Sequence, residues 1–170
     1  SEYNLYRINL AMAAQAMPGT VASAFLGDVR DVPRIEGAMK AIAPDVVIHA
    51  AALKHVPLME ENVCEAILTN VGGTINAMRA AVQAGAKNFV LISTDKAVDP
   101  DNVMGATKRL AEIAVSRIAE HSGMDVAMVR FGNVLGSSGS VVPLFQEQIE
   151  AGGPVTVTDP DVTRYFMTVE

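Results

Sequence analysis

The chain has 170 residues, half of them hydrophobic, with no Trp and a formal net charge of −6. That is enough apolar side chain for one core in one domain, while the acidic balance and the lack of a basic stripe exclude a nucleic-acid surface built from clustered Lys and Arg. No apolar run reaches the roughly 18–20 residues that cross a bilayer, the start carries no signal peptide, and the single Cys64 fits a reducing compartment; the expectation is a cytoplasmic domain without membrane contact of its own.

Residues 2–16 read as a helix, with Leu5, Ile8 and Met12 at helical spacing. Met17-Pro18-Gly19-Thr20 ends it, and 21–26 reads as a strand. Asp31 ahead of Pro33 marks a helix start, because Pro needs no N–H partner in a first turn. That helix runs to about Ala43, Pro44 stops it, and 45–50 is a short buried strand. A loop leads into a long helix over 63–84, closed by Gly85 as a left-handed cap. A strand over 89–93, a helix over 102–121 ended by Gly123, a strand over 126–131, a helix over 141–151 and a strand over 155–157 complete the chain. Strands apolar on both faces, each followed by a helix, imply a parallel sheet covered on both sides. Right-handed crossovers make it a doubly wound α/β fold, whose ligands sit beyond the carboxyl ends of the strands.

Thr94, Asp95 and Lys96 fall at such a carboxyl end. Met104 and Lys108 follow, four apart and therefore on one helix face. That is the spacing of the Tyr-x-x-x-Lys pair of short-chain dehydrogenases, but Met cannot exchange a proton. Asp95 and Lys96 are the titratable groups left for acid–base work. In extended backbone they point to opposite sides and flank a ligand rather than pair, and desolvation would bring a lysine toward about 7–8, a usable base. His49, His55, His121 and Cys64 lack metal-ligand spacing, so no metal is expected. Glu60-Glu61 reads as a solvated helix start, and Gly72-Gly73 as relief for close packing within a helix.

Four separated motifs occur in order: His49-Ala50-Ala51-Ala52-Leu53-Lys54-His55-Val56-Pro57, Ser93 to Lys96, Asn102 to Lys108, and Arg130-Phe131-Gly132-Asn133-Val134-Leu135-Gly136-Ser137, with Thr163 to Thr168 beyond them. Together the chain resembles the polysaccharide-biosynthesis branch of the extended short-chain dehydrogenase/reductases, the UDP-N-acetylhexosamine 4,6-dehydratases. Met at position 104 is similar to the large, membrane-anchored members; smaller soluble ones carry Tyr. The resemblance implies a UDP-sugar substrate such as UDP-N-acetylglucosamine, and NAD rather than NADP as cofactor. It implies oxidation at C4, loss of water across C5–C6 and reduction at C6. Lys96 would remove the C5 proton, Asp95 would protonate the departing hydroxyl, and Thr94 would hydrogen-bond the C4 oxygen. Lys108 would hold the nicotinamide ribose, with Met104 packed beside it.

On the cofactor side the resemblance points to Asp28 and Val29 for the adenine, the alternative for Asp28 being a turn residue capping the next helix. Ala50, Ala51 and Ala52 offer close backbone approach or plain core packing. Lys54 would face both cofactor and substrate, and Asn70, unfavourable inside a helix, makes either a structural or a site hydrogen bond. Asn133, Ser138, Ser140 and Arg164 would bind substrate. Gly132, Gly136 and Gly139 would leave free N–H groups for phosphate, and Arg164 would clamp a diphosphate or form a surface salt bridge. No glycine-rich phosphate loop follows a strand near the front. Against the family pattern, residues 1–170 read as one truncated NAD(P)-binding Rossmann-like domain with the start of the substrate-binding region, lacking the first strand and glycine loop. The expectation is weak NAD binding by this chain alone and a tendency to associate, including as a homo-oligomer, through unpaired sheet backbone. A nucleotide-sugar 4-epimerase and a non-catalytic dinucleotide-binding scaffold are the alternatives. Asp95-Lys96 argues against the first, and the retention of Thr94, Asp95, Lys96 and Lys108 together against the second.

Overall fold

A computed structural model of the chain describes residues 2–15, 17–136, 141–157, 159–161 and 163–168. Helix α1 spans Glu2–Gln15 and α2 spans Val32–Ile42. Asp31 caps α2 by accepting from Arg34 N, Pro33 sits in the first turn, and Ala43 closes it in a left-handed conformation, as the sequence dictates. Strand β1 is Val46–His49. A six-residue helix, α3 (Val56–Glu61), stands where a loop was expected; it is too short to show a period, and buries one side chain, Met59.

The long helix is continuous but not uniformly α-helical. Helix α4 (Val63–Ala66) passes through a π-helical turn, Ile67–Gly72, into α5 (Gly73–Gln83). Gly85, at φ +80°, ends it as expected. Strand β2 (Asn88–Thr94), helix α6 (Val103–Ser122), strand β3 (Asp125–Phe131), a two-residue strand β4 (Asn133–Val134), helix α7 (Val141–Glu150) and strand β5 (Phe166–Met167) follow.

The main sheet is parallel, in the order β1-β2-β3, with Val47 opposite Phe89 and Leu91 opposite Met128. The parallel strands are joined by crossovers through α5 and α6, the α/β alternation expected from the sequence. Side chains alternate along the strands. Val47, Phe89 and Leu91 enter a core with Met78, Ala81 and Val115, which come from α5 and α6, and Met39 of α2 packs against it. The opposite side chains of β1, Val46 and Ile48, are 51% and 67% exposed. The expected second helical layer is therefore not met along β1; α1 and α7, the helices left over, bury no residue.

Two expected strands are not formed. Residues 21–26 have no neighbouring strand to complete their hydrogen bonds, and Val21 is 88% exposed. Arg34 of α2 holds the segment instead: its Nε donates to the Leu26 carbonyl at 2.7 Å and its guanidinium lies over the Phe25 ring. Residues 155–157 are likewise irregular; the Gln148 side chain occupies Thr156, its Oε1 accepting from Thr156 N and its Nε2 donating to Thr156 Oγ1. The small second sheet is made by β5 pairing parallel to β4.

Of the Gly72-Gly73 pair, Gly73 alone has the packing role read from the sequence: a Cβ there would run into the Val29 side chain, whereas at Gly72 the nearest atom is 3.9 Å away and at Gly37 of α2 a Cβ would meet open space. Gly37→Ala should stabilise the chain by about 0.5–1 kcal/mol through helix propensity. Gly73→Ala should destabilise it by about 1–3 kcal/mol through overpacking, so the two urea midpoints should move in opposite directions.

Candidate active site

Strand β2 ends at Thr94 and the backbone turns at once into a 3-10 turn, Asp95–Ala97. Thr94 caps this turn, its hydroxyl accepting from Lys96 N and donating to Asp95 Oδ1 at 2.9 Å. Because the chain does not stay extended, Asp95 and Lys96 do not flank a ligand as expected; the turn folds them together. Lys96 Nζ donates to Asp95 Oδ1 at 3.1 Å and to Asn133 Oδ1 at 3.2 Å. Burial works to raise the Asp95 pKa, but the hydrogen bonds from Lys96 and Thr94 outweigh it and hold the carboxyl below its ordinary value. The turn can sit this close to α6 because Gly105 has no Cβ: one there would strike the Lys96 carbonyl. On the far side, a Cβ on Gly132 would lie 2.9 Å from the Tyr165 carbonyl and 3.7 Å from Asp95 Oδ2. Two glycines thus let α6 and the 132–133 segment close on the pair.

Helix α6 starts at Asn102, whose side chain accepts from Gly105 N at 2.8 Å. Glu60 is exposed, as expected, but it lies in the last turn of α3 rather than at a helix start, and it accepts from Val103 N at 2.8 Å. Lys108 is buried and its ammonium donates to the Ile92 carbonyl of β2 at 2.6 Å. Burial pulls its pKa below the usual lysine range, and the charge of Glu112 opposes that. Met104 is buried with Met59 and Ala66, against Val56 and Val103, and contributes packing.

Asn70 lies in the π-helical turn and is fully buried. Its Oδ1 accepts from Leu53 N at 2.7 Å, and its Nδ2 donates to the Leu53 carbonyl and to Thr107 Oγ1, both at 3.0 Å. Of the two readings the sequence left open, this geometry is the structural one: Asn70 fixes the loop after β1 against α6. Ala50 and Ala51, at the carboxyl end of β1, are exposed, Ala52 is half-buried, and Lys54 is exposed on the same loop. His49 is buried; its Nε2 faces Thr74 Oγ1 at 3.1 Å, and that hydroxyl donates its only proton to the Asn70 carbonyl. Nε2 therefore carries the imidazole proton. Burial, and then the Lys108 charge, push the His49 pKa down to about 4, so it is neutral.

Asp28 is not a helix cap, since Asp31 fills that position. Its carboxylate accepts from the Arg30 backbone and guanidinium, which hold it at about 2, and Arg30 continues to Glu65 at 2.7 Å. Val29 packs on Gly73, and its carbonyl accepts from Asn76. Asn133 is placed by β4 beside Lys96. Arg164 is exposed and donates to the neighbouring Thr163 carbonyl. Gly136 takes the left-handed conformation at φ +71°; Ser138, Gly139 and Ser140 lie outside the described residues.

Glu112 has no role in the sequence reading, and it is the most heavily bonded carboxylate near the site. It is 1% exposed and accepts from Ser93 Oγ (2.6 Å), Arg130 Nε and Nη2 (2.8 and 2.6 Å) and Arg109 Nη1 (3.1 Å). A signal was present: Glu112 follows Lys108 by four residues, so both share the face of α6 that turns inward.

A parallel α/β sheet with a carboxylate–amine pair at the end of one strand and a lysine-bearing helix beside it defines the class. The chain belongs to the polysaccharide biosynthesis protein family, whose profile matches residues 1–170. It is 56% identical over 144 residues to the probable polysaccharide biosynthesis protein EpsC of Bacillus subtilis, covering 85% of this chain and 24% of that protein. A UDP-N-acetylglucosamine 4,6-dehydratase (inverting) of Campylobacter jejuni is 43% identical over 150 residues (86% and 44% of the two chains), and a UDP-glucose 4-epimerase of Rickettsia canadensis 44% over 148 residues (85% and 43%). The chain thus spans less than half the length of these relatives. The X-ray structure of Pen from Bacillus thuringiensis superposes with a TM-score of 0.88 at 39% identity, covering 99% of this chain and 51% of that one.

The Glu112 network ties stability to pH. Burial alone would raise the Glu112 pKa; the hydrogen bonds from Arg130, Ser93 and Arg109 overcome this and lower it from 4.5 to about 2. With the folded value depressed, its stabilisation is complete above the unfolded pKa and is lost as pH falls from about 4.5 toward 2. Acid unfolding at fixed urea should lose roughly 3 kcal/mol across that window. In Glu112→Gln the loss should shrink, while stability at neutral pH drops by about 3–5 kcal/mol.

Proposed function

We propose that this chain is the catalytic part of an NAD-dependent nucleotide-sugar 4,6-dehydratase of polysaccharide biosynthesis, acting on UDP-N-acetylglucosamine. The observation that carries the reading is the Asp95–Lys96 pair, a 3.1 Å contact further gripped by Asn133 at the carboxyl end of β2. Elimination of water across C5–C6 needs a base for the C5 proton and an acid for the C6 hydroxyl. As they rest, the two groups are an ion pair. One proton moved from Lys96 Nζ to Asp95 across their hydrogen bond gives the neutral amine and the carboxylic acid the step requires, and a sugar that excludes water favours the uncharged pair. Lys96 then takes the C5 proton, Asp95 protonates the leaving hydroxyl, and Thr94, already at the turn, hydrogen-bonds the C4 oxygen.

The residues present fit a dinucleotide. Ala50 and Ala51 leave the backbone open at the end of β1, Asn70 holds that loop still, Asp28 is tied through Arg30 to Glu65 of α4, and Val29 packs on Gly73 of α5. The chemistry NAD supplies when bound is reversible oxidation at C4, with the same hydride returned at C6. Lys108 orients the ribose and keeps a positive charge near the C4 oxygen, favouring loss of its proton. Asn133 and Arg164, with Lys54 and with Ser138 and Ser140, are the substrate-side assignments. We place the reaction in the cytoplasm: among the described residues no helix is long and apolar enough to cross a membrane, and the one cysteine is free.

A 4-epimerase is the second reading, favoured by the Rickettsia relative. It shares C4 oxidation but has no use for an acid and a base at C5 and C6. The full-length protein with UDP-N-acetylglucosamine in deuterated water separates them: dehydration with deuterium at C5 supports the dehydratase, and inversion at C4 without water loss supports the epimerase. An unchanged sugar leaves a dinucleotide-binding scaffold. Lys96→Met should abolish deuterium incorporation at C5. Asp95→Asn should slow water loss by about 10²–10⁴-fold, the usual contribution of one general acid, and should slow the C5 exchange too, because Lys96 loses the acceptor of its proton.

A further inference from the structure

Glu112 lies one helical turn beyond Lys108 on α6, almost wholly buried, with four donors converging on its two oxygens. The two side chains are fastened to adjacent residues of β2: Lys108 donates to the Ile92 carbonyl, and Ser93 donates to Glu112. Arg130 is the register partner of Ser93 across the sheet and grips Glu112 with both ends of its fork. Three residues after Arg130 comes Asn133, which accepts from Lys96. One carboxylate therefore joins the helix that carries Lys108 to the strand whose end holds Lys96.

We propose that Glu112 is a positioning residue of the site: it supplies a fixed negative charge to Lys108, keeping that lysine a cation within its buried setting, and locks the end of β3 so that Asn133 meets Lys96. This role rests on the dehydratase reading only where turnover is measured. The charged or titratable groups on the elements that carry or pack against Lys108 are Arg109 and Glu112 on its own helix, His49 of β1, Asp95 and Lys96 of the turn after β2, and Arg130 of β3; of these, Glu112 and His49 interact electrostatically with Lys108. His49 is neutral, and Arg109 and Arg130 are both bonded to Glu112, so the carboxylate supplies the opposite charge that Lys108 feels and offsets the two guanidinium cations.

The test uses full-length protein labelled with carbon-13 at the lysine ε-position, the Lys108 resonance being assigned by its loss in Lys108→Met. Glu112→Gln should lower the Lys108 titration midpoint by about one unit or more, the effect of losing a close opposite charge. Arg109→Gln, which removes a half-exposed cation that partly neutralises Glu112, should raise it. The alkaline limb of kcat/KM should move the same way in each variant. A purely structural Glu112 would lower activity equally at every pH and leave both midpoints in place, and that result overturns the proposal. Should Glu112→Gln fail to fold, Arg109→Gln decides: a raised midpoint supports the role, an unchanged or lowered one overturns it. If the native protein does not turn over the sugar, the dehydratase reading falls, and the lysine midpoints still judge Glu112.

Discussion

The site depends on how helix α6 is fixed to strand β2. A helix packed on a sheet through apolar contacts alone can slide, because dispersion and hydrophobic burial have no direction. Here two polar side chains one turn apart are tied to consecutive strand residues, Lys108 to the Ile92 carbonyl and Glu112 to the Ser93 hydroxyl. Hydrogen bonds are directional, and those made by charged groups in a buried setting are the strong ones. They set the height of α6 along β2, and so the distance between Lys108 and the Thr94-Asp95-Lys96 turn that begins two residues later.

The same logic holds the loop after β1. A regular α-helix over 63–84 would place Asn70 by helical spacing alone. The π-helical turn inserts its extra residue there, a device common at functional sites, and Asn70 then bonds both backbone groups of Leu53. Its remaining donor goes to Thr107 of α6. The loop carrying Ala50 to Lys54 and the helix carrying Lys108 are therefore fixed to one buried amide. Loops that receive ligands are ordinarily among the less stable parts of a fold; this one is held at Leu53, whose N–H and carbonyl both bond to Asn70.

Close approach is the third element, and glycine provides it. Gly105 admits the Lys96 carbonyl, Gly132 admits the Tyr165 carbonyl, and Gly73 admits Val29. Each removes one Cβ at a point where two backbones or a backbone and a side chain must touch. The acid–base pair, the substrate-side strand and the Asp28-Val29 segment are each brought into place at such a point.

Periodicity and caps in the sequence determined most of the elements: the strand–helix alternation, the caps at Asp31, Gly85 and Gly123, and the parallel sheet they imply. Motif order alone identified the family and the candidate residues at the end of β2. Those features are local, written in spacings of a few residues. The tertiary structure alone decided which segments become strands, since residues 21–26 and 155–157 have strand-like composition but no neighbouring backbone to bond. It alone decided that Asp95 and Lys96 pair, because the turn after Thr94 depends on α6 closing over Gly105. It alone revealed Glu112, whose meaning comes from Ser93 and Arg130, 19 and 18 residues away in the chain. A hydrogen bond between distant residues leaves no periodic trace, and the geometry that makes one exists only once the helix lies on the sheet.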